Sequence, residues 1–377
     1  MTIGDDFAID ALAGFLPLAA RDRLAETLTA AEIDTLTHLA KAGTGPNSLR
    51  ALASDLAYLE AWARASTGAP LVWPASEAMV LRFIAHHLFD AAERERNAEH
   101  GMPEAVAATL RADGRLRTAG PHAPATVRRR LALWSSLHRW RGLEGPFGSP
   151  SIRNALRLAV RAADRPRARK SASAITRDVL DRLLATCGRG GALDVRDRAL
   201  LLLAFGSGGR RRSEVAKLEF EDIENLEPVS ADPEAPEGGK LPVVAIRLCR
   251  AKTAAADAGE SVLAVGRPVE ALRAWLVFAK IAAGPVFRPI DKWGNIGAAA
   301  LDPQSVNAVI KSRCVAAGLD PKDFSAHGLR SGYLTEAARA GVPLQEAMQQ
   351  SRHRSMQQAA RYYNEGEIAR GRAARLG

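Results

Sequence analysis

The chain has 377 residues, 47% of them hydrophobic and 25% charged, with a net charge of +10. That length calls for two domains, with a third as the upper bound. A balance this basic, carried mostly by arginine, points to nucleic acid ahead of a membrane surface.

Cys187, Cys249 and Cys314 are three in number and widely spaced. Neither a disulfide framework nor a metal-ligand pattern follows from them. The start Met1-Thr2-Ile3-Gly4-Asp5-Asp6 has no basic leader, and no apolar run is long enough to span a bilayer. A cytoplasmic setting without membrane attachment is expected. Aromatics are sparse at 5%, and alanine, leucine and arginine are plentiful, which favours helices.

Residues 1–45 read as short amphipathic helices, with Leu24, Leu28, Ile33, Leu36 and Leu39 on one face. Thr29 precedes Glu32 by three positions, as in a capping box. This is an N-terminal helical extension with no visible chemistry.

Residues 46–162 read as a helical domain. Leu52, Leu56, Leu59 and Trp62 share one helix face, and Ser76 opens a second helix carrying Val80, Phe83, Ile84 and Leu88. Residues 95–121 are polar and glycine-interrupted, a loop with a short helix. A third helix begins at about Ala125, with Leu131, Trp134, Leu137 and His138 inward and Arg128, Arg129 and Arg130 near its start. The last spans about 150–162, with Arg153, Arg157 and Arg161 at four-residue steps. Such a basic stripe suits contacts to a phosphate backbone, as do the three consecutive arginines.

Residues 163–173 contain Arg167, Arg169 and Lys170 around a proline and lack apolar periodicity. They read as a basic interdomain linker that adds to DNA contact. The second domain, 174–377, opens on a helix after the N-cap Thr176, followed by an apolar helix over 194–205. Gly206-Ser207-Gly208-Gly209 then turns into Arg210-Arg211-Arg212-Ser213-Glu214. This is no nucleotide loop, since Gly-Lys-Ser/Thr and a preceding strand are both lacking. Residues 226–239 are acidic and proline-rich, a loop. Residues 243–248 and 261–265 form a β-hairpin with Lys252 near its turn. Helices follow over 268–281 and 303–317. A tail over 365–377 forms one last short helix.

His327 and Arg330, three apart, share a helix face and can hold one anion between imidazole and guanidinium. His353 precedes Tyr362 by nine positions, so a turn and a helix bring a phenol back to the same place. Arg211, at a helix start, offers a second guanidinium, with Glu214 one turn on. Imidazoles, guanidiniums and a phenol suit phosphoryl transfer, in which positioning and charge stabilisation dominate, with tyrosine as covalent nucleophile. No acidic metal cage accompanies them.

The order Arg … Lys … His-x-x-Arg … His … Tyr resembles that of the tyrosine recombinases, the phage-integrase type. Gly208 to Val215 resembles the family's Gly-x-x-Arg-x-Ser-Glu-Leu, which identifies Arg211 as the catalytic arginine. Ser325 to Gly332 resembles its second box, and Arg250-Ala251-Lys252-Thr253 its hairpin lysine. Two positions depart from the pattern: Arg210 stands where an apolar residue is usual, and Arg352 where glycine is common before the histidine. Tyr363 is the neighbouring alternative to Tyr362.

The resemblance implies a mainly α fold with a small antiparallel β-sheet or hairpin. An all-helical core-binding domain and an α+β catalytic domain would close on duplex DNA as a C-shaped clamp. It implies a site-specific recombinase working through a 3′-phosphotyrosine, with Tyr362 as nucleophile and Arg211 and Arg330 on the phosphate oxygens. Lys252 would act as general acid, His327 would take the phenol's proton, His353 would bond the phosphate, and Glu214 would orient the site. No cofactor or metal is expected. The partners would be double-stranded DNA and further copies of the chain, as a tetramer on two sites. The same fold without the reaction, as an inert or regulatory DNA-binding protein, and a topoisomerase IB-like relaxing enzyme are the alternatives.

Overall fold

The computed structural model describes residue 38 and residues 46–117, 120–163, 171–232, 238–248 and 261–368. Lys252, Arg167, Arg169 and Lys170 lie outside the described residues, as do the readings for the first 37 residues and for 369–377. The chain divides into two compact units, 1–167 and 168–377.

The first unit is helical. It contains α1 (Pro46–Thr67), α2 (Glu77–His87), α3 (Ala91–Arg96), α4 (Glu104–Ala112), α5 (Pro124–Trp140) and α6 (Pro150–Ala162). Ser76 accepts the Met79 amide at the start of α2, and Ser149 the Ile152 amide at the start of α6. The apolar positions converge on Tyr58, Leu59, Trp62, Val80, Phe83, Leu110, Val127 and Trp134. Trp62 and Phe83 meet edge to face with centroids 4.9 Å apart, an arrangement favoured by their ring quadrupoles.

The second unit contains α7 (Arg177–Ala185), α8 (Ala192–Gly206), α9 (Arg212–Ala216), β1 (Ile223–Ser230), β2 (Lys240–Arg247), β3 (Ser261–Val265), α10 (Arg267–Phe278), α11 (Pro303–Ala316), α12 (Ala326–Ala340), α13 (Leu344–Ser351) and α14 (Met356–Ile368). α8 is buried along Ala199, Leu200, Leu201, Leu202 and Leu203, with Trp275, Phe287 and Ile310 in the same core. Pro303 follows the N-cap Asp302, whose carboxylate accepts the Gln304 amide.

Several local readings are corrected. Residues 223–230, partly read as loop, are β1, which turns the hairpin into a three-stranded antiparallel sheet of order β1-β2-β3. The register of β1 on β2 slips between Leu226 and Val229. Pro228 falls inside that irregularity, on an edge strand, where a missing N–H is tolerated. Thr176 caps α7 without accepting an amide, because its hydroxyl turns to Asp178 Oδ1. Residues 365–368 continue α14 instead of starting a separate helix.

The end of the segment read as linker belongs to the second unit. Ser173 N donates to Asp323 O at 2.9 Å, and Ser325 N to Ser171 Oγ at 3.1 Å. Ile175 N donates to Gly328 O at 2.9 Å. This strap lies so close to α12 that a Cβ on Gly332 would overlap the Ile175 carbonyl.

Candidate active site

Four segments of the second unit meet at the site: the turn after α8, the first turn of α12, the turn between α13 and α14, and α14 itself. Ser325 starts α12 by accepting the His327 amide at 3.3 Å. The adjoining first turn then presents His327 and Arg330 together. α14 packs on α12 through Leu334, Ala337 and Ala359, with Tyr362 half-buried against that cluster. Thr335 Oγ1 donates to Tyr362 O at 3.3 Å and fixes the helix at this residue.

The two tyrosines take opposite fates. Tyr362 Oη lies 3.1 Å from His327 Nε2. Tyr363 is buried, 6% exposed, and its hydroxyl donates to Val342 O. Neighbours on a helix differ by about 100° in direction, so only one can face the His327 ring.

Arg330 is 5% exposed and bound on three sides. Its Nε donates to His353 Nε2 at 3.0 Å, Nη1 to Gly209 O at 3.2 Å and Nη2 to Arg352 O at 3.2 Å. A guanidinium has five N–H donors in a planar fork, so among the described residues two are left uncommitted and can meet an incoming anion. Burial, then the cations of Arg210 and Arg211, lower its pKa from 12.5 to about 10. It stays charged at neutral pH.

His353 has a different immediate partner from the phosphate expected of it. Accepting from Arg330 Nε requires an unprotonated Nε2, so the ring proton sits on Nδ1, 2.7 Å from Ser351 Oγ. Burial first, then the charges of Arg330 and Arg211, depress its pKa from 6.5 to about 3. The imidazole is neutral and aims the guanidinium.

Arg352 explains why glycine suits the position before the histidine. It ends α13 in the left-handed region, φ 56° and ψ 44°, where glycine carries no Cβ penalty. The Arg352 carbonyl is one of the three groups gripping Arg330. Gly209, at φ 69°, leaves no room for a Cβ against Arg330 Cα and Leu329 O. The glycine turn thereby brings a bare backbone carbonyl against the guanidinium.

Arg211 is the N-cap of α9, with a side chain 59% exposed. Its Nη1 donates to Glu214 Oε1 at 2.8 Å and its amide to Glu214 Oε2 at 3.1 Å. The helix start, read as open to an anion, is occupied by the Glu214 carboxylate. Arg210, which the sequence reading left without a role, is 4% exposed and lies behind Arg211 and Glu214. Its only early signal was the departure from an apolar position. Among the described residues no group of His, Cys, Asp and Glu could hold a metal ion, and no helix is long and apolar enough to cross a membrane.

In the first unit, Arg153, Arg157 and Arg161 are all exposed on α6. The run on α5 divides. Arg128 is exposed, and Arg129 is exposed with Nη2 at 2.9 Å from Asp55 Oδ1. Arg130 turns inward. Its side chain is 11% exposed, with Nε 3.4 Å from Asp55 and its guanidinium carbon 3.3 Å from the Tyr58 ring centroid. Asp55 is 2% exposed, and a buried carboxylate demands such pairing. Arg130 is therefore an internal counter-ion, which a run of three arginines does not reveal.

The model of the phage integrase family matches residues 262–367. An integrase/recombinase xerD homolog of Selenomonas ruminantium is 30% identical over 256 residues, 66% of this chain and 70% of that one. Two solved structures of the XerH site-specific recombinase share the fold. The post-cleavage complex on palindromic difH substrate has a TM-score of 0.53 at 15% identity, covering 91% of this chain and 83% of its own. The pre-cleavage complex has a TM-score of 0.52 at 14% identity, covering 94% and 87%. With a relative this similar over most of both chains, and the family model falling on the segment that carries His327, Arg330, His353 and Tyr362, the chain belongs to the phage integrase family of tyrosine recombinases.

Proposed function

We propose that the cluster around Arg330 is the strand-cleavage centre of this site-specific DNA recombinase, with Tyr362 as its nucleophile. The observation that carries the assignment is the phenol of Tyr362 held 3.1 Å from the His327 imidazole, beside a buried arginine with unspent donors. Tyr362 Oη attacks the scissile phosphorus, a Tyr–O–P bond forms, and the bond to the 5′-oxygen breaks. The phenolic proton passes to His327. Arg330 and Arg211 neutralise charge on the non-bridging oxygens as it develops. Arg211 must first leave Glu214, and its exposure permits that swing. Lys252 is assigned by family resemblance to protonate the departing 5′-oxygen. The 3′-phosphotyrosine keeps the bond energy, so the 5′-hydroxyl of a partner strand reverses the step and completes exchange.

Family membership supports the wider assembly, four copies on two DNA sites. Exposed Arg153, Arg157 and Arg161 fit a sequence-independent grip on the phosphate backbone. The test is a nicked suicide duplex drawn from DNA flanking the gene, followed on a denaturing gel. A covalent adduct lost with Tyr362→Phe and kept with Tyr363→Phe is the expected result. Loss with Tyr363→Phe alone moves the nucleophile by one position, and tight specific binding without any adduct overturns the catalytic assignment.

A further inference from the structure

Glu214 faces two arginines, one exposed and one buried. Exposed Arg211 holds it at 2.8 Å, and buried Arg210 stands with Nη1 3.8 Å from Oε2. Arg210 is fixed at its far edge, where Nη2 donates to Gln350 O at 2.8 Å. Gln350 is itself anchored, with Nε2 donating to Leu263 O at 2.6 Å. Nε and Nη1 of Arg210 are buried and make no hydrogen bond among the described residues. A buried guanidinium with donors in reserve beside a shared carboxylate is unusual, because burying a charge is unfavourable unless it is paired.

Resting on the cleavage-centre reading above, we propose that Arg210 is a positioning residue that takes over Glu214 when Arg211 turns to the scissile phosphate. A shift of about 1 Å brings Nη1 from 3.8 Å into hydrogen-bond range of Oε2. Without that partner, releasing Arg211 would strand a carboxylate that is 24% exposed beside the phosphate, where its charge repels the substrate. With it, Glu214 stays neutralised and Arg211 is freed. The Gln350 bond keeps Arg210 in register with the turn that carries Arg352 and His353.

The test measures single-turnover cleavage of the suicide duplex by the full chain. Arg210→Gln removes the cation and can keep a donor toward Gln350, whereas Arg210→Lys keeps the cation. Arg210→Gln should slow cleavage by about tenfold to a hundredfold, the range for a lost charged hydrogen bond, with DNA affinity and melting temperature nearly unchanged. Arg210→Lys should recover most of the rate. In a Glu214→Gln background, Arg210→Gln should add little, since its target is gone. Equal losses for the Lys and Gln variants, or an undiminished loss in the Glu214→Gln background, would show that Arg210 acts by packing and overturn the inference. Wild-type cleavage is the separate control: its absence refutes the cleavage-centre reading itself. Should Arg210→Gln not fold, the Lys variant with and without Glu214→Gln decides the same question.

Discussion

His353 links site geometry to pH in a way that can be measured without knowing the DNA target. Its folded pKa is about 3 against an ordinary 6.5, so the fold holds the neutral ring and the unfolded chain takes up the proton. Stability from this group is therefore complete above about 6.5 and declines as pH falls toward about 3. At pH 5, about 1.5 units into that window and at roughly 1.4 kcal/mol per unit, the ceiling is about 2 kcal/mol, and solvent screening of the half-buried ring brings the loss to about 1 kcal/mol. The cause is specific: a proton on Nε2 would face Arg330 Nε–H at 3.0 Å. His353→Gln offers an amide oxygen in place of Nε2 and does not titrate. Thermal unfolding of both proteins at pH 7 and pH 5 isolates the residue, since half-buried His86 and buried His87 are common to both. The stability gap between wild type and variant should narrow by about 1 kcal/mol at pH 5, roughly 2–4 °C for a unit of this size. A gap of the same size at both pH values would refute the neutral, Arg330-accepting imidazole.

Arg330→Lys keeps the charge but cannot reach His353, Gly209 and Arg352 together; cleavage should fall by ~10²–10³, read as single-turnover adduct formation. Arg157→Ala should weaken binding to any duplex and reduce the slope of log affinity against log salt by about 0.9, checked by a salt titration of fluorescence anisotropy; an unchanged slope would make α6 merely a solvated face. Gly209→Ala forces a Cβ onto the Arg330 backbone at a positive φ, and should destabilise the chain by more than about 1 kcal/mol in chemical denaturation. Arg352→Gly relieves a left-handed arginine; the strain of ~1–2 kcal/mol is partly offset by the greater chain entropy of glycine, so a small rise in melting temperature is expected.

Local patterns carried much of the helical framework. Serine and proline punctuation at 149–150, the apolar spacing of 80, 83, 84 and 88, and the Asp302-Pro303 start all act within one turn of chain, so each is readable from neighbours alone. The same holds for Arg211 and Glu214, which meet because they are three apart on one helical turn. The sheet was less legible. β1 carries acidic residues and a proline and earns its place only by pairing with β2, a contact remote in sequence. Burial was the other gap. The runs Arg128-Arg129-Arg130 and Arg210-Arg211-Arg212 look uniform as text, yet Asp55 draws Arg130 inward and the Gln350 carbonyl draws in Arg210. His353 and Tyr362 could be nominated by spacing, but their hydrogen-bond partners could not. Sequence by itself determined which charged and aromatic groups this protein owns and which helices carry them, because propensity and capping are local. Tertiary structure alone decided which arginine is buried, which imidazole nitrogen accepts and which tyrosine faces the histidine, because desolvation and pairing depend on groups brought together from distant parts of the chain.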